Sequence, residues 1–246
     1  MSTLQDELDS GRPFLYDWPG LPIAHPDLAR AQATVRELIE PEVVRQLGPG
    51  TRALDLACNE GWWSHRLLEW GADQVVAVEA REDNAHRARL LRDHHGIAAA
   101  QLEVITADAT TLDPQLLGQF DVVLCLGLLY HLEDPIGTLR LARALTKGLL
   151  VVETQVTRDP GPIRHAWGST DDASESTDAS FAVRWERDDE FPLASIDSVV
   201  SLIPNRAALT LSLNAAGFPD VRLAHSDAAH HSSGFRTGDR TVAFAR

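Results

Sequence analysis

Ala53-Leu-Asp-Leu-Ala-Cys-Asn-Glu-Gly-Trp-Trp-Ser64 decides how the rest of the chain is read. An apolar run gives way to a turn and then to the start of a helix. That succession opens a βαβ unit. Small residues at Ala57 and Gly61 let the backbone approach a ligand closely. In open α/β sheets, ligands bind beyond the carboxyl ends of the strands, at the point where strand order reverses. This turn falls there.

Outward from the turn, strands alternate with helices. The pattern predicts strands over 52–57, 74–79, 102–106, 120–126 and 149–154. Helices fall over 61–70, 83–94 and 135–145, with a helical turn over 112–117. Residues 157–197 break the rhythm. A helix over 205–216, closed by Gly217, and strands over 221–224 and 241–245 then complete the series. The expectation is a Rossmann-like α/β fold: a seven-stranded, mostly parallel sheet with helices on both faces and an antiparallel strand pair at one edge. Ahead of it, 28–47 has helical apolar spacing and stops at Gly48-Pro49-Gly50, while 1–27 reads as irregular. Residues 1–48 are therefore taken as a cap segment and helix, and 49–246 as the main domain. The insert at about 157–197, rich in Ser, Thr, Asp and Ala over 168–180, is either a linker or a lid.

The 246 residues are 44% hydrophobic, enough for one α/β domain with additions. No apolar run approaches the roughly 20 residues that span a bilayer. Met1 to Ser10 is polar and acidic, without a signal pattern. These features predict a cytoplasmic protein with no membrane partner. The formal net charge of -14 argues against nucleic acid and anionic membrane surfaces. Cys58 and Cys125 sit in apolar segments and read as buried thiols. No Cys/His cluster has zinc-site spacing, and the pairs His94-His95 and His230-His231 read as surface histidines.

Glu79 follows Asp55 by 24 positions, at the end of the second strand. An acid there can accept both ribose hydroxyls of a nucleoside. Asp108, at the end of the third strand, is placed to bond an adenine amino group. Each carboxylate alone is explained as well by a helix cap or a solvated loop; three acids at or near successive strand ends favour a cofactor site. The expected cofactor set is Asp55, Ala57, Asn59, Gly61, Glu79, Asp108, Ala109, Leu126, Tyr130 and Tyr16. Tyr16 and Trp18 either cover the cofactor or anchor their loop.

This arrangement resembles the class I S-adenosylmethionine (SAM)-dependent methyltransferases, whose first motif is Asp-x-Gly-x-Gly-x-Gly. Here Ala57 and Asn59 stand for two glycines and Gly61 remains. More specific segments are Gly127-Leu-Leu-Tyr-His-Leu-Glu-Asp-Pro135, Val152-Glu-Thr154, Ile203-Pro-Asn-Arg-Ala-Ala-Leu209 and Ala216-Gly-Phe218. These, with the first motif, resemble the bacterial tRNA 5-hydroxyuridine carboxymethyltransferase family over roughly 50–225. That family uses a carboxylated SAM and has basic residues after its Tyr-His pair. This chain has Leu132-Glu133-Asp134, so ordinary SAM and a smaller acceptor are expected.

The resemblance thus implies a SAM-dependent O-methyltransferase acting on a small hydroxylated molecule, plausibly a saccharide. The alternatives are a tRNA wobble-uridine oxygen (carboxy)methyltransferase and a non-catalytic SAM-binding module. Homo-oligomerisation is left open. His131 is the first candidate base and His165 the second. Glu153 would orient His131 or hold an acceptor hydroxyl, and Tyr130 would line the methionine end. Asp171, Asp172 and Asp178 could join a magnesium site, but a solvated acidic loop accounts for them better; no metal is assigned.

Overall fold

The computed structural model describes residues 3–158, 179–186, 200–224, 226 and 228–246. His165, Asp171, Asp172 and Asp178 lie outside the described residues. Five strands alternate with helices as expected: β1 (Arg52–Leu56), β2 (Gln74–Glu79), β3 (Leu102–Thr106), β4 (Phe120–Leu126) and β5 (Thr146–Gln155). All pair in parallel. β6 (Phe181–Trp185) and β7 (Val200–Pro204) form a separate antiparallel pair. β8 (Val221–Leu223) and β9 (Arg240–Ala245) complete the main sheet, whose order is β3-β2-β1-β4-β5-β9-β8. β9 runs antiparallel to both neighbours. The seven-stranded, Rossmann-like sheet read from the sequence is therefore borne out.

The helices are α1 (Leu4–Asp9), α2 (Pro26–Val44), α3 (Trp62–Glu69), α4 (Glu82–His94), α5 (Pro114–Leu117), α6 (Pro135–Leu145), α7 (Arg206–Ala216) and α8 (Ser233–Arg236). Side chains alternate across a strand, so each strand feeds two cores. Ala53, Val75, Val122 and Val151 point to the face covered by Ile39, Trp63 and Leu67 of α2 and α3. Leu54, Val76, Val123 and Val152 point to the face covered by Leu139, Leu209 and Leu213 of α6 and α7. Burial on both faces explains why these strands read as continuous apolar runs. Among the described residues, no helix is long and apolar enough to cross a membrane.

Three local features depart from the sequence expectation. The lead-in is not wholly irregular: Thr3 and Asp6 form a capping box that starts α1. β5 begins at Thr146, ahead of the predicted 149, and runs through Gly148. A Cβ at Gly148 would lie 2.3 Å from the Asp121 carbonyl, so glycine lets the strand pass a register shift in β4. The β6–β7 pair was not anticipated. Its outward Val183 and Trp185 are exposed, which hides the usual alternation of buried and solvated positions.

Candidate functional site

The carboxyl ends of β1 to β5 open into a cavity of about 900 Å³. Its first wall begins at the β1–α3 turn. Ala57 (φ 58°), Asn59 (φ 52°) and Gly61 (φ 80°) all adopt left-handed backbone there. For alanine that conformation costs about 1–2 kcal/mol, and such strain clusters at functional sites. The turn is held by Glu79: its Oε2 accepts from the Asn59 N–H at 2.9 Å and its Oε1 from the Arg81 N–H at 2.9 Å. Glu79 is 4% exposed, yet it lines the cavity. Two backbone donors fix its orientation, and each oxygen keeps acceptor capacity for a ligand hydroxyl. Asp108 stands at the next loop, where its Oδ1 accepts from the backbone N–H and hydroxyl of Thr110.

Asp55 and Gly61 do not line the cavity. Asp55 is 1% exposed inside β1, where its Oδ2 accepts from the Ser64 hydroxyl at 2.6 Å. Burial raises its carboxyl to about 7, helped by the charge of Glu79. It ties β1 to the first turn of α3. Gly61 is the left-handed residue before α3, and a Cβ there would meet Ala88 at 3.3 Å. Both shape the turn from behind.

The N-terminal segment is clamped over this wall. Glu60 accepts from the Leu15 and Tyr16 backbone N–H groups. It pairs with buried Arg87 at 2.9 Å, and Arg87 also bonds Glu7 and the carbonyls of Arg12 and Pro13. This brings Tyr16 to the cavity, stacked on Trp62 with ring centroids 6.1 Å apart. Burial, with Asp55 and Glu60 nearby, pushes the Tyr16 hydroxyl well above its ordinary value, so it stays a neutral donor. Trp18 is buried in the core, as an anchor.

The opposite wall comes from the β4 and β5 ends. A short 3-10 turn, Leu129–His131, carries Tyr130 and His131 into the cavity. His131 Nδ1 lies 2.9 Å from Glu186 Oε2 and 3.1 Å from Oε1. An Nδ1–H donated to that carboxylate leaves the lone pair on Nε2. Burial lowers the His131 value below that of an ordinary histidine, and Glu186 opposes the shift. The ring is then neutral at neutral pH and able to accept a proton.

Glu153 does not orient His131, contrary to the sequence expectation. Its carboxylate takes a two-point pair from Arg240, at 2.6 and 2.8 Å. Arg240 also reaches the Tyr130 hydroxyl at 3.4 Å. Burial works against the Arg240 charge, but Glu153 outweighs it and raises the value. Arg184 lines the same wall, 3.5 Å from Glu186 and 3.4 Å from the Gln155 side chain.

Of the residues singled out from sequence, Tyr16, Ala57, Asn59, Glu79, Asp108, Ala109, Leu126, Tyr130, His131 and Glu153 all line one cavity. Sequence reasoning missed Glu186, Arg184, Gln155 and Arg240. Glu186 follows a strand that carries no alternation. Arg240 opens a strand that was recognised, but its proximity to Glu153 depends on the β5–β9 pairing, which places it across from Gln155. The donor set suits a nucleoside cofactor: strand-end carboxylates, a close backbone turn and an aromatic cover.

A family model described as a methyltransferase domain matches residues 29–223. The ubiquinone biosynthesis O-methyltransferase of Bordetella avium is 32% identical over 113 residues, 45% of this chain and 45% of that protein. Its counterpart in Pseudomonas aeruginosa is 31% identical over 112 residues, 45% of this chain and 47% of that protein. The chain thus spans about half the length of the curated relatives it matches. The N-terminal domain of EvdMO1, crystallised in the presence of SAH and D-fucose, is similar over 99% of this chain and 95% of that one, with TM-score 0.69 and 25% identity. The magnesium protoporphyrin IX methyltransferase of Synechocystis PCC 6803, with bound SAH, shares the fold at TM-score 0.58 and 16% identity, over 92% and 89% of the two chains.

Proposed function

The chain belongs to the methyltransferase-domain family, and on that premise we propose that it transfers a methyl group from SAM to a hydroxyl of a small molecule, with a saccharide as the acceptor class. One observation carries the reading. His131, with Nδ1 anchored on Glu186, lines the same cavity as Glu79 and Asp108. A base and a nucleoside-binding edge therefore face one space.

Bound SAM supplies a methyl group already activated on a sulfonium. The residues have to orient the reactants, exclude water and take one proton. Glu79 receives the ribose hydroxyls and Asp108 the adenine amino group. Tyr16 and Tyr130 bound the cofactor end. His131 Nε2 takes the acceptor hydroxyl proton, and Glu186 offsets the charge that forms on the ring. Arg184 and Arg240 each carry a carboxylate partner, Glu186 and Glu153. These two pairs neutralise the Arg184 and Arg240 charges that a carboxylated cofactor would use, which favours ordinary SAM. In this reading residues 1–48 serve as a cap over the cofactor end, and the insert near 157–197 supplies Arg184 and Glu186 to the acceptor end.

The acceptor side is polar, with Glu133, Gln155, Arg184 and His131 on it, as sugar hydroxyls require. The presence of D-fucose with the EvdMO1 domain supports the same class. A phenolic acceptor is the second reading. It is favoured by the apolar wall of Leu28, Ala31 and Val35, against which an aromatic ring would pack. The test is SAH release from SAM with a panel of hexoses and deoxyhexoses beside a panel of phenols. Turnover on sugars supports the proposal, and turnover on phenols alone replaces it with the second reading. Cofactor binding with no turnover on either panel contradicts both.

A further inference from the structure

Away from the cavity, Glu37 on α2 meets His230 and His231, a pair read from the sequence as surface histidines; His230 is exposed, but His231 is buried, contrary to that reading. Glu37 Oε2 lies 2.8 Å from His230 Nε2 and 3.3 Å from His231 Nε2. All three ligating atoms fall within 4.8 Å of one another. Glu37 and His230 are exposed, whereas His231 is 5% exposed and its Nε2 is buried without a hydrogen-bond partner. That nitrogen makes no well-formed hydrogen bond, and its one contact in the cluster is the 3.3 Å approach to Glu37, so a buried polar atom is aimed into the cluster.

The surroundings hold the trio in place. His231 Nδ1 lies 2.5 Å from the Ser226 hydroxyl. With the proton on Nδ1, Nε2 presents its lone pair to the cluster. Such an outer hydrogen bond is what sets the tautomer and ring direction of a ligating histidine. The Ser232 N–H donates to Thr34 Oγ1 at 2.9 Å, which fastens this loop to α2 one turn before Glu37.

We propose that Glu37, His230 and His231 bind a divalent transition metal, zinc in the first instance, with water completing the coordination. Two imidazoles and one carboxylate suit zinc and its neighbours better than magnesium or calcium, which take oxygen ligands. Donors at ~2.0–2.1 Å from a tetrahedral zinc stand ~3.3 Å apart. The separations seen here reach that spacing with a small movement of exposed His230. The metal clips α2 to the segment before α8. Both elements wall the cavity, through Gln32 and Val35 on one side and Phe235 on the other, so the clip braces the site without touching the reacting atoms.

The test uses the full chain, stripped with a chelator and titrated with Co²⁺ and then Zn²⁺. The expected result is a tetrahedral Co²⁺ absorption band saturating at one equivalent, its displacement by Zn²⁺, and a Tm raised by Zn²⁺. In Glu37→Gln and His230→Ala, both at exposed positions, metal affinity falls more than about tenfold and the Tm rise disappears. SAM titration of the same variants, with circular dichroism, shows them folded. Absence of a saturable band in the wild type overturns the proposal and leaves an ion pair. A band that survives unchanged in both variants overturns it too.

Discussion

The two halves of the cavity are assembled over different distances along the chain. On the β1–β3 side, the polar groups at the strand ends find their partners nearby: Glu79 with the backbones of Asn59 and Arg81, Asp108 with Thr110, Asp55 with Ser64; only the N-terminal cover reaches far, through Arg87 to Glu7. On the β4–β5 side they come from far away: His131 with Glu186, Glu153 with Arg240, Tyr130 with Arg240. The near half rests mainly on backbone donors and turn geometry. The far half rests on side-chain ion pairs brought together by tertiary folding.

The largest effect that separates the halves is on rate. His131→Ala is expected to lower kcat by ~10²–10⁴-fold with SAM affinity unchanged, read by SAH release and calorimetry. A matching loss of SAM affinity would erase the division. The pH profile sharpens it. The base works when deprotonated, so activity falls as pH drops through the His131 value, which lies below the ordinary 6.5. Glu186 raises that value, so Glu186→Gln should move the acid limb to lower pH as well as slow the reaction. A limb that stays put would remove Glu186 as a positioning residue.

Stability comes next. Arg240→Ala leaves Glu153, 3% exposed, without its partner, a loss expected at ~3–5 kcal/mol in urea unfolding. Replacing the pair together, as Glu153→Leu with Arg240→Met, should recover most of it. Asp55 probes the near half. Its folded value of about 7 lies above the ordinary 3.8, so its contribution to stability is full below about pH 4 and lost as pH rises to about 7. Asp55→Asn lacks this titration and should gain ~2–4 kcal/mol on the wild type across that window. The smallest effect is Ala57→Gly. Relief of left-handed strain is offset by unfolded-chain entropy, leaving a gain of no more than ~1 kcal/mol.

The same contrast explains what was legible in the sequence. Glu79 and Asp108 end apolar strands, and a strand end is visible without knowing its neighbours. Tyr130 and His131 follow the fourth strand and were found in the same way. Glu153 ends an apolar strand and is legible too, with His131 or an acceptor hydroxyl as its expected partner; its pairing with Arg240 is not, because only the β5–β9 pairing brings Arg240 to it. Glu186 lies beyond a strand whose exposed Val183 and Trp185 conceal any core face. Asp55 was read as a ligand-side acid, but its place inside a strand buried on both faces turns it toward Ser64. Glu60 and Arg87, which hold the N-terminal segment on the cavity, sit in a turn and a helix where single charges read as solvated.

The central claim is that the β1–β3 edge is a SAM site, and calorimetric titration of cofactor-free protein with SAM and SAH tests it most directly. The account predicts saturable one-to-one binding of both, weakened about tenfold or more in Glu79→Ala and retained in His131→Ala. Folded wild-type protein that binds neither ligand, or a Glu79→Ala variant that binds both as tightly as the wild type, would contradict it.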